Sequence, residues 1–393
     1  MGLGLSSLEK GDLHAAETAF TESLRLNPKL AGSLVGMAGV AMKKGDFQGA
    51  ESYYQKALAS SPADASLQRS WSRFLISQRR YGEAEAALKK AIAFSPAMAA
   101  VAQSELGELY LVSMNKPAEA LKAFLAALSL DGSLGQAHYG AGAAVLALGD
   151  ATHAESELKS AAAALPGDPM PVQALGVAYM LQKRYRDAVQ SFSQALALRP
   201  GQIPWIMARA EAYEDLGLTD KALVDYDACL KINPKFASAY VKIGVIYQLR
   251  GQVADAERAY REAISIDPSQ AFAYNNLAFG AAERKERLDD ALRWATKAVE
   301  LQPQFPQFQD TLGWVRRARG ELAEAASVLE KARTLKPEQP DVYYHLGIVY
   351  SEQRRSADAS IAFNRALALN PNFESAGDAR QRLAQLSKAQ ASR

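Results

Sequence analysis

Prolines recur along this chain at a spacing of 34 residues. Pro28, Pro62 and Pro96 are followed by Gly132 in an equivalent slot after 36 residues, because repeat 4 carries two extra, then by Pro166, Pro200, Pro234 and Pro268 at 34; Pro303 comes after 35 residues, and Pro337 and Pro371 again after 34. Self-similarity at a fixed period of this size marks a stacked repeat architecture. A length of 393 residues then reports the number of repeats and not the number of globular domains. Each marker follows an apolar stretch, as in Leu24-Arg25-Leu26-Asn27-Pro28 and Leu367-Ala368-Leu369-Asn370-Pro371. Proline cannot extend the helix before it, and it biases the chain toward a turn into the next one.

Twelve residues before each marker stands an alanine: Ala16, Ala50, Ala84, Ala120, Ala154, Ala188, Ala222, Ala256, Ala291, Ala325 and Ala359. A second small column includes Gly4, Gly107, Gly142, Gly176, Gly244, Gly313 and Gly347, and a large residue recurs at Phe20, Tyr54, Phe124, Phe192, Tyr226, Tyr260 and Phe363. Small residues let two helices approach closely while large neighbours fill the space beside them. Apolar residues at helical spacing predict two helices of about 12–14 residues per repeat. Glycine in turns such as Lys44-Gly45-Asp46 and Arg250-Gly251-Gln252 ends the first helix in a left-handed conformation.

These columns resemble the tetratricopeptide repeat family. Leu175-Gly176, Tyr179, Ala188, Phe192, Ala195 and Pro200 carry its signature, and Leu346-Gly347, Tyr350, Ala359, Phe363, Ala366 and Pro371 carry it again. The resemblance implies an all-α, right-handed superhelical solenoid of about eleven helix-turn-helix repeats, with the first helix of each repeat lining a concave groove. On that reading residues 1–371 form the array, with its first repeat truncated, and residues 372–393 form a capping helix, with Leu383 and Leu386 on one face, and a frayed tail.

Charge and composition exclude several classes of partner. Lys+Arg 45 against Asp+Glu 43 leaves +2, too little field to attract nucleic acid. No apolar run approaches the roughly 20 residues needed to span a membrane. Cys229 is the single cysteine, so no intramolecular disulfide or thiolate cluster is expected, and its place in a small column predicts a buried, inert thiol. His14, His138, His153 and His345 are scattered without metal-ligand spacing. Gly140-Ala141-Gly142 falls within a helix and is no phosphate cradle. The expectation is a chain with no catalytic residues, no metal and no cofactor.

Functional residues are therefore sought on the groove. Carrying the family's groove positions onto this chain, repeats 9 to 11 are the richest: Asn275, Asn276, Phe279, Asp310, Trp314, Arg317, Tyr344 and His345, with Phe272 beside them. Asparagine can pair with the backbone of an extended peptide, Trp314 and Tyr344 supply stiff contact area, and Arg317 can fork onto a carboxylate. The family's clamp for acidic chaperone tails is not matched, since only Asn276 stands in one of its slots, between Val241 and Val245 before and Gln307 and Thr311 after. The expected role is a non-catalytic scaffold holding a protein or peptide segment in the groove, with self-association through the ends of the stack as a further expectation.

Two other readings stand beside it. Asn275-Asn276-Leu277-Ala278, Asp310-Thr311-Leu312-Gly313-Trp314-Val315 and Tyr344-His345-Leu346-Gly347 are similar to segments of bacterial repeat proteins of exopolysaccharide synthesis and envelope export. The third is the substrate-recruiting arm of a larger enzyme, because Met1 already sits partway along a repeat's first helix, as expected of a piece of a longer chain. Cytoplasm and bacterial periplasm are both compatible with the sequence.

Overall fold

The computed structural model describes residues 2–391, with side chains to residue 388; Met1, Ser392 and Arg393, the last two at the end of the expected frayed tail, lie outside the described residues. The described residues are helical and contain no strand. They form two compact units, the first ending at Leu216 and the second beginning at Gly217.

In the first unit the helix pairs are Gly2–Glu9 with Leu13–Leu26, Ala31–Lys44 with Phe47–Ser60, Ala65–Ser77 with Tyr81–Phe94, Pro96–Glu108 with Pro117–Leu130, Gly135–Ala147 with Ala151–Ala164, and Pro169–Leu181 with Tyr185–Leu198; Ile203–Asp215 follows. The second unit opens with Thr219–Ile232, the second helix of repeat 7. Its pairs are Ala237–Leu249 with Val253–Ile266, Ala271–Arg284 with Leu288–Leu301, Pro306–Ala318 with Leu322–Leu335, and Pro340–Glu352 with Ser356–Leu369, closed by Ala376–Ala391. Apart from Gly2–Glu9, of 8 residues, and the closing Ala376–Ala391, of 16, the α-helices run for 13 or 14 residues, within the expected lengths. Gly45 (φ 79°) and Gly251 (φ 70°) take the left-handed turn as expected, but Lys183 (φ 58°) and Arg354 (φ 63°) fill that slot without glycine.

The alanine column is buried throughout, from Ala16 to Ala359. The packing unit is one large residue of a second helix pressed between two first helices. A Cβ added at Gly107 would come within 2.7 Å of the Phe124 ring, and one at Gly140, in the next repeat, within 2.3 Å. Gly4 and Gly36 enclose Phe20 in the same way, at 2.7 and 2.4 Å. Where the second helix offers Tyr260, Gly244 still fits one side, within 2.5 Å for an added Cβ, but the following repeat presents Asn276, whose Nδ2 donates to the Tyr260 hydroxyl at 3.3 Å. The size of this slot thus follows the ring it meets.

Two irregularities have structural form. The first helix of repeat 4 begins on Pro96 itself and runs into a π-helical turn, Leu109–Ser113, which absorbs the added length; the Met114 N–H donates to the Leu109 carbonyl at 3.1 Å. The extra residue of repeat 9 makes a turn with Lys285 (φ 55°) and Arg287 (φ 49°) both left-handed. Cys229 is buried, and burial pushes its thiol up to about 11, with Asp225's charge adding. The closing helix packs against the core of the last repeats, with Phe373, Ala376 and Ala379 buried and Leu383 and Leu386 half-buried.

Candidate functional site: the first-helix face of repeats 9 to 11

Helical spacing puts Asp310, Trp314 and Arg317 on one stripe of Pro306–Ala318, at i, i+4 and i+7. Asn275, Asn276 and Phe279 occupy the corresponding stripe of Ala271–Arg284, and Tyr344 and His345 that of Pro340–Glu352. Repeat stacking brings the three stripes side by side, and the bonds between them run from each helix to the next.

Trp314 is at the centre and is only 8% exposed. Its indole N–H donates to the Glu283 carboxylate of repeat 9. The His345 ring stacks on it at 4.3 Å between centroids with an interplanar angle of 30°, and the Arg317 guanidinium lies 4.3 Å from its ring centre. Arg317 in turn forks onto Glu352 of repeat 11, Nε to Oε1 at 3.0 Å and Nη2 to Oε1 at 2.5 Å. The fork expected to meet a ligand carboxylate is therefore closed on a carboxylate of the chain itself.

His345 lies within 2.8 and 2.9 Å of the two carboxylate oxygens of Asp310 through Nδ1. Burial opposes protonation of this ring, but the charge and hydrogen bond of Asp310, with Asp341 and Glu283 behind it, outweigh burial and raise its pKa above the ordinary imidazole value. Asp341 is pushed up in the same neighbourhood, first by burial and then by the charges of Asp310 and Glu374 against the opposing His345. Tyr344 points the other way, donating to Asp378 of the closing helix at 2.8 Å; Arg382 holds the same carboxylate. Burial and that bond raise the Tyr344 hydroxyl's pKa.

At the repeat 9 end the two asparagines are partly buried. Asn275 Nδ2 donates to Asn276 Oδ1 at 3.3 Å, and the buried Asn275 Oδ1 has no partner. Phe279 is half-buried against the same core cluster as Trp314. Phe272 remains 46% exposed, edge-on to Phe305 and Phe308 at 5.3 and 5.1 Å.

The structure thus gathers Asp310, Trp314, Arg317 and His345 into one connected seam and leaves Asn275, Asn276 and Phe279 at its edge. Sequence reasoning missed Glu283, Glu352, Asp378 and Asp341. The signal was present as complementary groups about one repeat apart: Trp314 follows Glu283 by 31 residues, Glu352 follows Arg317 by 35, and Asp378 follows Tyr344 by 34. The first unit uses the same device, with Arg69 forked onto Glu105 at 2.8 and 2.9 Å and Arg73 on that carboxylate at 2.5 Å. Burial would raise Glu105, but the two arginines more than offset it and hold it below the usual range. Among the described residues no group of three or more His, Cys, Asp or Glu is placed to hold a metal ion, and no helix is long and apolar enough to cross a membrane.

Known proteins share this architecture. Over 46% of its length the chain is 29% identical to a TPR repeat-containing protein of Pseudomonas aeruginosa, matching 31% of that protein. It is 26% identical over 42% of its length to the heat-shock protein cognate co-chaperone sgt12 of Aspergillus fumigatus, matching 47% of it. The chain spans about a third of the length of the curated relatives it matches first. A tetratricopeptide repeat protein from Parabacteroides merdae superposes with a TM-score of 0.53 at 22% identity, over 65% of this chain and 99% of that one, which shows a shared fold. Tetratricopeptide repeat family models match residues 1–65, 35–99, 109–169, 172–202, 206–236, 237–270 and 340–373, and a TPR repeat model matches 313–353. The chain belongs to the tetratricopeptide repeat family.

Proposed function

We propose that the chain is a non-catalytic scaffold that binds an extended protein segment along the first helices of repeats 9 to 11. Its relatives are chiefly repeat proteins, among them a co-chaperone, and this supports the coarse reading of a protein-interaction scaffold. One observation carries the finer reading. Glu283 to Trp314, Asp310 to His345, Arg317 to Glu352 and Tyr344 to Asp378 join the first helices of three repeats and the closing helix. A face held this way loses little conformational freedom when a ligand lies on it, and pre-organisation of that kind favours affinity.

On this reading Asp310, Trp314, Arg317 and His345 set the shape of the face. Asn275, Asn276 and Phe279 meet the ligand, with the Asn275 amide turning its unpartnered oxygen toward a backbone N–H, while Tyr344, bonded to Asp378, helps to set the shape. Carboxylates surround His345 through Asp310, Asp341 and Glu283, and Glu374 adds its charge near Asp341, so the favoured segment carries basic residues.

The test compares wild type with Asn275→Ala and Asp341→Asn, neither of which removes a bond of the seam. Captured segments are identified by mass spectrometry and then titrated as synthetic peptides. Basic segments bound by wild type and bound several-fold more weakly by both variants, with helicity unchanged by circular dichroism, support the reading. Equal affinity for all three proteins sinks it.

A further inference from the structure

In repeats 3, 6, 9 and 11 the residue just before the second helix is an arginine: Arg80, Arg184, Arg287 and Arg355. Each lies by an aromatic ring of its own repeat and pairs with a carboxylate three residues on. Arg184 is 4.4 Å from the Tyr179 ring centre and 2.8 Å from Asp187. Arg355 is 4.1 Å from that of Tyr350 and 2.7 Å from Asp358. Arg80 and Arg287 do the same with Trp71 and Glu83 and with Trp294 and Asp290. In repeat 11 the preceding second helix also supplies Glu330, which accepts from the Tyr350 hydroxyl at 2.5 Å.

Repeat 8 keeps this receptor and lacks the arginine. In register, Tyr247 stands where Tyr179 and Tyr350 stand, Asp255 where Asp187 and Asp358 stand, and Asp227 where Glu330 stands, but Gln252 replaces Arg184 and Arg355. Among the described residues no cation lies over the Tyr247 ring, and its hydroxyl makes no hydrogen bond. The nearest candidate in sequence, Arg250, is committed to Thr219 at 2.5 Å and Asp220 at 2.7 Å.

What remains is an open cleft of about 370 Å³ between the second helices of repeats 7 and 8, walled by Tyr240 and Tyr247 and edged by Asp227, Asp255, Glu262 and Arg258. Three carboxylates against one guanidinium leave this edge at −2. Arg258 pairs with Asp255 Oδ1 at 2.9 Å from a side chain that is 77% exposed, which leaves the second carboxylate oxygen available. The corresponding cleft of repeats 2 and 3 is lined by Trp71, Glu83 and Lys90, so its edge charges cancel, and its arginine, Arg80, is in place.

We infer that the repeat 7–8 cleft takes an arginine side chain of a protein partner, with the guanidinium over Tyr247 and its fork on Asp255 and Asp227. A planar guanidinium both stacks on an aromatic face and pairs with a carboxylate, which an ammonium does less well. The cleft lies on other elements than the face of repeats 9 to 11, so the two readings stand or fall separately.

The test uses the full chain with ¹³C-labelled tyrosine, the Tyr247 ring signal being assigned by its loss in Tyr247→Phe. N-acetyl-arginine amide is the probe; N-acetyl-citrulline amide, its neutral isostere, and N-acetyl-lysine amide are the comparisons. A saturable shift of the Tyr247 signal with the arginine probe, absent with citrulline and weaker with lysine, is expected. Gln252→Arg restores the internal arginine at an exposed position and should move the Tyr247 signal without probe and lower the response to probe about tenfold. Asp255→Asn should also weaken the response. No shift with the arginine probe, an equal shift with citrulline or lysine, or a wild-type response in Gln252→Arg overturns the inference.

Discussion

The His345 ring lies 4.3 Å from Trp314, stacked on it, while its Nδ1 faces the Asp310 carboxylate at 2.8 Å. Aromatic contact and ion pair act on one imidazole, and the second makes its charge state matter to stability. The pKa of His345 is raised in the folded protein by Asp310, Asp341 and Glu283 despite burial. A raised pKa means that the protonated form is favoured by folding. The stabilisation is fully present below the unfolded value of about 6.5 and is lost as pH rises through the higher folded value. Urea midpoints measured at about pH 6 and about pH 8.5 should fall with rising pH in wild type and fall less in His345→Gln. Equal slopes in the two proteins would show that the pair adds nothing.

Asp341 titrates in the same sense by a different route. Burial, with Asp310 and Glu374 nearby, raises its pKa, so its ionised form is disfavoured by folding. Asp341→Asn removes that charge and should raise the urea midpoint at neutral pH, with the gain shrinking as pH falls through the carboxylate range. A lower midpoint at pH 7 would mean that Asp341 makes a favourable interaction that its surroundings do not disclose.

The Arg317 and Glu352 side chains, 22% and 36% exposed, form a forked pair across two repeats. Pairs at this exposure are screened by solvent, so a double-mutant cycle of Arg317→Ala and Glu352→Ala should give a coupling of about 0.5–1 kcal/mol. Arg317→Ala alone should cost more than Glu352→Ala, because the guanidinium also covers Trp314. Chemical denaturation of the four proteins measures both quantities, and equal single-mutant costs would remove the stacking contribution.

The repeat was legible because its determinants are local. Proline, the turn glycine and the alanine column act within a few residues, and they recur often enough to be seen in register. The face was legible as a set of residue types, but its pairing was not. Arg317 read as a fork for a ligand because its partner, Glu352, is 35 residues away in sequence. Trp314 read as contact surface because nothing near it in sequence announces that Glu283 and His345 close on it from both neighbouring repeats. The unpartnered Asn275 oxygen depends on a side-chain geometry shared with Asn276, and no column encodes it.

Arg354 shows where the turn departs from its best residue. It holds φ 63° at the slot that Gly251 fills in repeat 8, and its side chain is exposed. A side chain in the left-handed region costs about 1 kcal/mol, and glycine's extra freedom in the unfolded chain returns part of this. Arg354→Gly should therefore stabilise by a few tenths of a kcal/mol, read as a higher melting temperature. A loss would show that the arginine makes a compensating contact.

Gly140 tests the packing rule directly. An added Cβ would stand 2.3 Å from the Phe124 ring, and that ring already touches Gly107 on the other side, so it has no free direction in which to retreat. On helix propensity alone, glycine to alanine in the interior of Gly135–Ala147 should gain about 1 kcal/mol. Overpacking of a closed contact costs about 1–3 kcal/mol, so the sign is decided by the ring, and Gly140→Ala should destabilise. Gly82, near the start of Tyr81–Phe94, has nothing within 4 Å of the same added atom, so Gly82→Ala should be neutral or slightly stabilising. Phe124→Leu combined with Gly140→Ala should recover part of the loss, since the smaller side chain opens the space that the methyl needs. If Gly140→Ala proves as mild as Gly82→Ala in urea denaturation, neighbouring repeats can shift apart without cost and the ring does not set their spacing.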